Sequence, residues 1–539
     1  MERVKTRRIG QVLRGIERVG GFGGKSDTLA ASQTYLDSPD AWKADVDRVR
    51  TATAADLVDA GRRWLTDGGF VLDITPFPSF AASATGLDRT AAPAPGAMKA
   101  PGFVRFERAT LSNGLKVVLA ERHDIPLVQL NLLLDAGAAS DPVAKPGAAS
   151  LTAALLSDGS ATLDALQFSD RLLDQGASFS AGAGGDVTSV QMNALAARLD
   201  ASLDLFADAI LHPGFRESDV EREKKLRIAG IAQTKQNPIS EALRLSPTLV
   251  YGPDHAYGAL SSEATVAALT RGDLVRYHRA WFHPNAATLV VVGDTTLAAI
   301  LPRLETRFGG WQPGAQPVKN IGPVAPAPSS VIYLVDKPGA SQTVISASLV
   351  APPRLNPDDL AIDAMNTVLG GAFTSRLNMN LREDKHWSYG AQSFIRKFKG
   401  PSLFSAFAPV QTDKTRESFL EMRRELSEIL KERPVTEQDL ILAQNNLTLS
   451  LPGQWETGAA VAATLSDIAV YGLPDTYYDT YAQRIGALTP ADMARAASLV
   501  IKPASLTWVV VGDRSKIEEG LRATGAVVKV VDADGKPVA

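Results

Sequence analysis

The sequence predicts an α+β protein made of tandem copies of one domain, each a mainly antiparallel sheet packed with helices. Three observations carry that expectation. A helix–turn–strand pattern recurs three times at matched spacing, Pro/Ala-rich stretches punctuate the chain, and strand-like segments outnumber what a doubly wound parallel sheet could connect.

The recurring pattern occupies 48–75, 265–294 and 484–513. In each copy a threonine, Thr53, Thr270 or Thr489, stands three residues before an aspartate, Asp56, Asp273 or Asp492. A hydroxyl at that position can accept from the free amides of a helix start, and the acid lies near the positive end of the helix dipole. The last two copies end in the same VVVGD strand. The threonines are 217 and 219 residues apart, so the repeating unit is a whole domain and not a short solenoid element.

Two segments rich in Pro and Ala, 90–102 and 312–330, read as semi-extended linkers because they offer little apolar surface to bury. They divide the chain into 1–89, 103–311 and 331–539. The first piece enters the repeat at MERVKTRRIGQVLRGIE, so it is expected to be the C-terminal part of a domain whose upstream half is absent.

Within 103–311, segments 115–124 and 127–137 read as paired strands, and 147–159 and 169–176 as helices, the latter closing on Gly176. Segment 186–195 alternates like a half-exposed strand, and 199–215 has helical period with a proline stop. Within 331–539, 331–337 and 343–353 again read as paired strands.

Composition narrows the chemistry. A net charge of −3 gives no reason to expect nucleic acid or an anionic membrane as partner, and no apolar run is long enough to span a bilayer. With no cysteine, thiolate zinc sites, iron–sulfur clusters and cysteine nucleophiles are excluded. None of the six histidines lies three or four residues from another, so no helix face pairs two of them, and each is expected at the surface or as a cap. GGFGGKSD (20–27) is one residue short of a phosphate loop, and SAGAGGD (180–186) reads as a turn between strands.

The densest functional chemistry is LREDKHWSYG (381–390). Segment 369–384 reads as a glycine turn entering a helix with Leu377 and Leu381 inward, and 387–394 as a strand carrying Tyr389. A short turn would bring the Arg382 guanidinium and the Tyr389 phenol to one pocket. Both are donors suited to holding a carbonyl oxygen or the charge developing on it. A helix-end arginine and a half-buried strand tyrosine would look the same.

The ordered set of NGLKVVL (113–119), HPGF (212–215) before VEREKK, the Thr-x-x-Asp helices before VVVGD, and SRL…LRED…YG resembles the M16 metallopeptidase family, the pitrilysin, insulinase and mitochondrial processing peptidase group. The resemblance implies tandem M16 domains. It also implies a zinc motif, H-x-x-E-H, on one helix, with a further glutamate roughly 75 residues later. Aligned on PGAASLTAALLSDG, the histidine and glutamate positions of that motif fall on Ser150, Ala153 and Ala154, and the later glutamate near Ala229 or Gly230. Hydroxyl and methyl groups do not bind zinc, so no cofactor is expected in this chain.

Arg382 and Tyr389, seven residues apart, match the pair that zinc-free members use to contact substrate carbonyls. The expectation is therefore the non-zinc half or subunit of a peptidase, inactive alone, with a zinc-bearing half and a peptide as its partners. The alternative is a non-catalytic scaffold of the same fold. The resemblance suggests a periplasmic home.

Overall fold

The computed structural model describes residues 1–65, 68–69, 72 and 102–538; apart from Leu72 and Gly102, the strand expected at 70–75 and the linker expected at 90–102 lie outside the described residues. Residues 1–101 and 102–539 form separate compact units.

The first unit carries helices α1 (Glu2–Glu17), α2 (Lys25–Leu36), α3 (Ala41–Thr51) and α4 (Ala54–Trp64). α4 begins on the expected capping box: the Asp56 amide donates to the Thr53 hydroxyl while the Asp56 carboxylate accepts from the Thr53 amide. No large apolar side chain is buried among residues 1–65; the buried positions are Gly10, Gly24 and Ser32.

The second unit contains two six-stranded sheets. The first runs β1 (Glu107–Thr110), β2 (Lys116–Glu121), β6 (Ala287–Gly293), β3 (Leu127–Leu134), β5 (Thr188–Leu195), β4 (Ser178–Ala183). The second runs β12 (Val527–Val531), β7 (Val331–Asp336), β11 (Thr507–Gly512), β8 (Gln342–Ala351), β10 (Ser402–Gln411), β9 (Gln392–Arg396).

Both sheets are mainly antiparallel, with parallel pairs at β2–β6, β7–β11 and β7–β12. The strand pairs expected from sequence, β2 with β3 and β7 with β8, are not neighbours. In each sheet the VVVG strand sits between them, parallel to the first and antiparallel to the second. The reason lies in composition: β6 and β11 are apolar on both faces and almost wholly buried, so they belong at the centre, where helices cover both sides.

The helices of the first half are α5 (Ala148–Leu156), α6 (Ala165–Gln175), α7 (Leu199–Leu211), α8 (Glu217–Gln236), α9 (Pro238–Tyr251), α10 (Glu263–Ala267), α11 (Arg271–Trp281) and α12 (Leu297–Phe308). α5, α7 and α11 bury their apolar stripes on one face of the first sheet, against Leu130, Leu132 and Val291. The other face, with Val118, Leu133 and Val290, is covered by the helix Gly458–Tyr471 from the second half, through Val461, Ala462 and Leu465.

The second sheet mirrors this. Its own helix Pro490–Val500 buries Met493, Ala496, Ala497 and Val500 in a core with Ile345, Ala347 and Phe404. Its opposite face, with Val344, Val509 and Val511, receives Ala242 and Leu245 of α9 from the first half. The two halves therefore exchange one helix each.

A polar seam reinforces the exchange. Asp186, in the turn before β5, accepts from the Tyr257 hydroxyl at 2.5 Å and from the Lys399 amide at 2.9 Å. The Tyr257 ring stacks on Phe398 at 4.2 Å between centroids. The stretch 312–330 has no regular secondary structure, yet it is pinned: Lys319 Nζ lies 2.6 Å from an Asp135 oxygen, and the Asn320 carbonyl accepts from the Ala256 amide at 3.0 Å.

Candidate functional site

The segment that carries Arg382 starts at Ser375, runs one α turn over Arg376–Asn378 and widens into a π turn over Met379–Asp384. Leu377 and Leu381, four apart, are fully buried and anchor it to the core. Asn378 ties both flanks, its amide donating to the Phe373 carbonyl at 2.7 Å and its carbonyl accepting from the Ala391 amide at 3.2 Å. On the outer side the Arg382 guanidinium lies 4.7 Å from the centre of the Phe373 ring and 3.3 Å from a Glu383 carboxylate oxygen.

His386 reverses the chain in the left-handed region, at φ 57°, and its Nδ1 lies 3.0 Å from the Arg382 carbonyl. The Trp387 amide then donates to the Leu381 carbonyl at 2.9 Å, and Ser388 forms a single bridge to Val410 on β10. Tyr389 follows in a bend, 86 % exposed, before β9 opens at Gln392. The expected strand placement of Tyr389 is thus corrected. Because the reversal at His386 leaves just one bridging residue, regular pairing resumes only after Gly390.

Arg382 and Tyr389 nonetheless line one cavity of about 350 Å³, with Gln342, Glu383, His386 and Gln411 around them. Gln411 braces the floor, its amide donating to the Trp387 carbonyl at 2.9 Å and its side chain to the His386 carbonyl at 3.2 Å. Of the neighbouring acids, Asp384 is engaged by Lys385 at 2.6 Å, and this bond holds its carboxyl below the usual range. The cavity thus offers a guanidinium and a phenol as donors facing solvent. Phe373, which carries the cation–π contact, was missed in sequence because it precedes the helix and shares no period with Arg382.

Ser150, Ala153 and Ala154 lie on α5, where Ala153 is buried and Ser150 and Ala154 are half-buried. Ala229 and Gly230 are exposed on α8, which packs against α5. None of these side chains can donate a lone pair from nitrogen or carboxylate, so they do not fit a zinc ion. Among the described residues no three His, Asp or Glu side chains gather as a metal site.

The histidines are not all superficial. His255 is buried beside Tyr251 and Tyr257, and burial pushes the His278 imidazole down to about 4, its Nε2 meeting the Ile210 carbonyl at 2.9 Å. His278 packs against the Phe215 and Phe282 rings, where a neutral imidazole fits as a polar filler.

α5 is seated by Asp141, whose carboxylate accepts from the Gly147 and Ala149 amides, each at 2.6 Å. Burial pushes this carboxyl up to about 6, against those bonds and the nearby Arg227. Between pH 4 and 6 the unfolded chain releases this proton and the folded chain keeps it. Ionisation of Asp141 therefore lowers stability by up to about 3 kcal/mol as pH rises through that window. Thermal melts of the wild type and Asp141→Asn should diverge with pH, the wild type losing ground to the variant on going from pH 4 to pH 7. A constant gap between them would exclude the effect.

Residues 116–250 match the family described as insulinase, peptidase family M16, and residues 268–447 match the peptidase M16 inactive domain. The chain belongs to peptidase family M16. It is 24 % identical, over 63 % of its length and 78 % of the relative's, to an uncharacterised zinc protease of Mycobacterium bovis. Among solved structures, a peptidase M16 inactive domain from Pseudomonas fluorescens superposes with a TM-score of 0.71 at 24 % identity, covering 76 % of this chain and 98 % of that one. The periplasmic protease PqqL of Escherichia coli gives 0.64 at 17 % identity over 94 % of this chain and 60 % of that one. These likenesses are of fold. Arg382 and Tyr389 fall inside the span matched to the M16 inactive domain, and α5 inside the span matched to insulinase.

Proposed function

We propose that this M16 chain is the non-zinc half of a peptidase, forming part of the substrate chamber and holding the scissile carbonyl for a zinc-bearing half. The observation that carries the reading is the cavity at the end of the π turn: Arg382 and Tyr389 line it together, in the segment matched to the M16 inactive domain. The residue types at Ser150, Ala153 and Ala154 support the same division of labour, since no zinc donor stands there. On this reading 103–311 and 331–539 are M16 domains joined by 312–330, and 1–89 corresponds to the C-terminal part of a further one.

A peptide would enter extended, adding to a sheet edge so that its carbonyl reaches the two donors. Arg382 presents a planar, permanently charged fork and Tyr389 a single hydroxyl, and together they orient the carbonyl and take up charge that develops on its oxygen. The chemistry of bond cleavage is assigned to the partner. A periplasmic location is part of the proposal, supported by the name of the Escherichia coli neighbour.

The test is cleavage of a mixed peptide library by this chain, by a zinc-bearing M16 polypeptide, and by the two together. The expected result is negligible turnover by this chain alone and a large gain in the mixture that chelator abolishes. Turnover by this chain alone that survives chelator would overturn the proposal, and a mixture no faster than the zinc-bearing polypeptide would favour a scaffold.

A further inference from the structure

The link between the π turns Thr367–Gly371 and Met379–Asp384 carries an aromatic ring that has no place in the core. The first turn ends where Ala372 becomes extended, and the chain re-enters a helix after Ser375, so Phe373 and Thr374 project from a short connection. That connection is pinned. The Ser375 amide donates to the Ala372 carbonyl at 3.0 Å, the Asn378 side chain donates to the Phe373 carbonyl at 2.7 Å, and Ser375 itself is buried.

Phe373 is 61 % exposed and stands apart from the apolar core that takes Leu377 and Leu381. A single exposed phenylalanine calls for no explanation by itself. This one is carried on a fixed backbone with its ring centre 4.7 Å from the Arg382 guanidinium. The guanidinium is held on a second side, where its Nε lies 3.3 Å from a Glu383 carboxylate oxygen. Among the described residues its terminal nitrogens meet no acceptor. A long side chain loses much rotamer freedom when it is held, so contacts that hold it before substrate arrives spare that loss during the reaction.

We infer that Phe373 is a positioning residue: its ring face sets the plane of the Arg382 guanidinium, and Glu383 fixes the Nε edge, so that the terminal nitrogens are left for the carbonyl oxygen. This rests on the reading of the Arg382 cavity as the place where the scissile carbonyl is held. The aromatic face is the property required, since its quadrupole attracts the cation and its flatness sets the plane, which an aliphatic chain of similar volume does not do. Asn378 couples this ring to the second donor. Its carbonyl accepts from the amide of Ala391, two residues after Tyr389, so the ring and the phenol hang on one buried side chain.

The test is steady-state cleavage by this chain mixed with a zinc-bearing M16 polypeptide, for wild type, Phe373→Leu, Phe373→Tyr, Arg382→Ala and the double variant of Phe373→Leu with Arg382→Ala. For Phe373→Leu the expected result is a kcat lower by about three- to tenfold with KM little changed, the range for losing a cation–π contact. Phe373→Tyr should retain the wild-type kcat, and Phe373→Leu should cost nothing more once Arg382 is gone. A wild-type kcat for Phe373→Leu, or the same loss with and without Arg382, would overturn the inference while leaving Arg382 its role. A wild-type kcat for Arg382→Ala would overturn the reading of the cavity and the inference with it. A second measurement needs no partner. In the full chain with labelled arginine nitrogens, the ring current of Phe373 should shift the Arg382 Nε proton upfield, and Phe373→Leu should move it back; an unchanged resonance would overturn the inference whatever the cleavage rates.

Discussion

Arg354→Ala is expected to cost about 3–5 kcal/mol of stability, because it strips the partner from buried carboxylates. Arg354 is 4 % exposed. Its guanidinium meets Asp359, the Tyr477 hydroxyl at 3.2 Å and Asp467 at 2.7 Å. Lys397 extends the network, 2.8 Å from Asp359 and 2.7 Å from Asp363. Burial opposes ionisation of Asp359, yet Lys397 and Arg354 hold its carboxyl below the usual range.

Asp467 lies on Gly458–Tyr471, the helix that covers the first sheet, so the loss should loosen the exchange between halves as well as the second core. Arg354→Lys should recover little, since a compact ammonium lacks the separate nitrogens with which the planar fork reaches Asp359, the Tyr477 hydroxyl and Asp467 together. Urea unfolding followed by tryptophan fluorescence measures the effect, and a midpoint within experimental scatter of wild type would refute it.

Arg382→Ala should lower kcat of the assembled peptidase by about 10²–10³-fold, the range for losing one donor at a developing oxyanion. KM should change less, because the interaction strengthens as charge forms on the carbonyl oxygen. Arg382→Lys should recover only part of the loss, since a point charge does not reproduce the fork, and Tyr389→Phe should fall between wild type and Arg382→Ala. Folding should be unaffected, as the side chain is 38 % exposed and its contacts are with Phe373 and Glu383. Steady-state cleavage alongside thermal melts separates the two effects; equal kcat for wild type and Arg382→Ala would remove the proposed role.

What the sequence could and could not reveal follows the range of the interactions. The capping boxes at Thr53, Thr270 and Thr489 are local, so four residues sufficed to read them, and all three form. The burial of Leu377 and Leu381 was equally legible from helical period. Strand order was not: β2 and β3 follow each other in sequence, but a strand from more than 150 residues later comes between them. Nor could amphipathic pattern say that α9 belongs to the second sheet, since an apolar stripe specifies that it will be covered and not by what. Tyr389 was misplaced because the left-handed His386 is not a glycine and carries no signal of a reversal. Its neighbourhood to Arg382 survived that error, as seven residues cannot stray far.

The helix exchange has a consequence for how the chain is made. The outer face of the first sheet, with Val118, Leu133 and Val290, is closed by residues 458–471. During synthesis at about 5–20 residues per second, the finished sheet would wait on the order of ten seconds for that helix to be made. Over that interval an aliphatic surface stands open to other nascent chains. The first half should therefore depend on a holdase, or on slow completion, more than its own compact core would suggest. Truncation between residues 312 and 457, after the first sheet is complete and before its covering helix, should yield a product that aggregates, not a smaller folded domain.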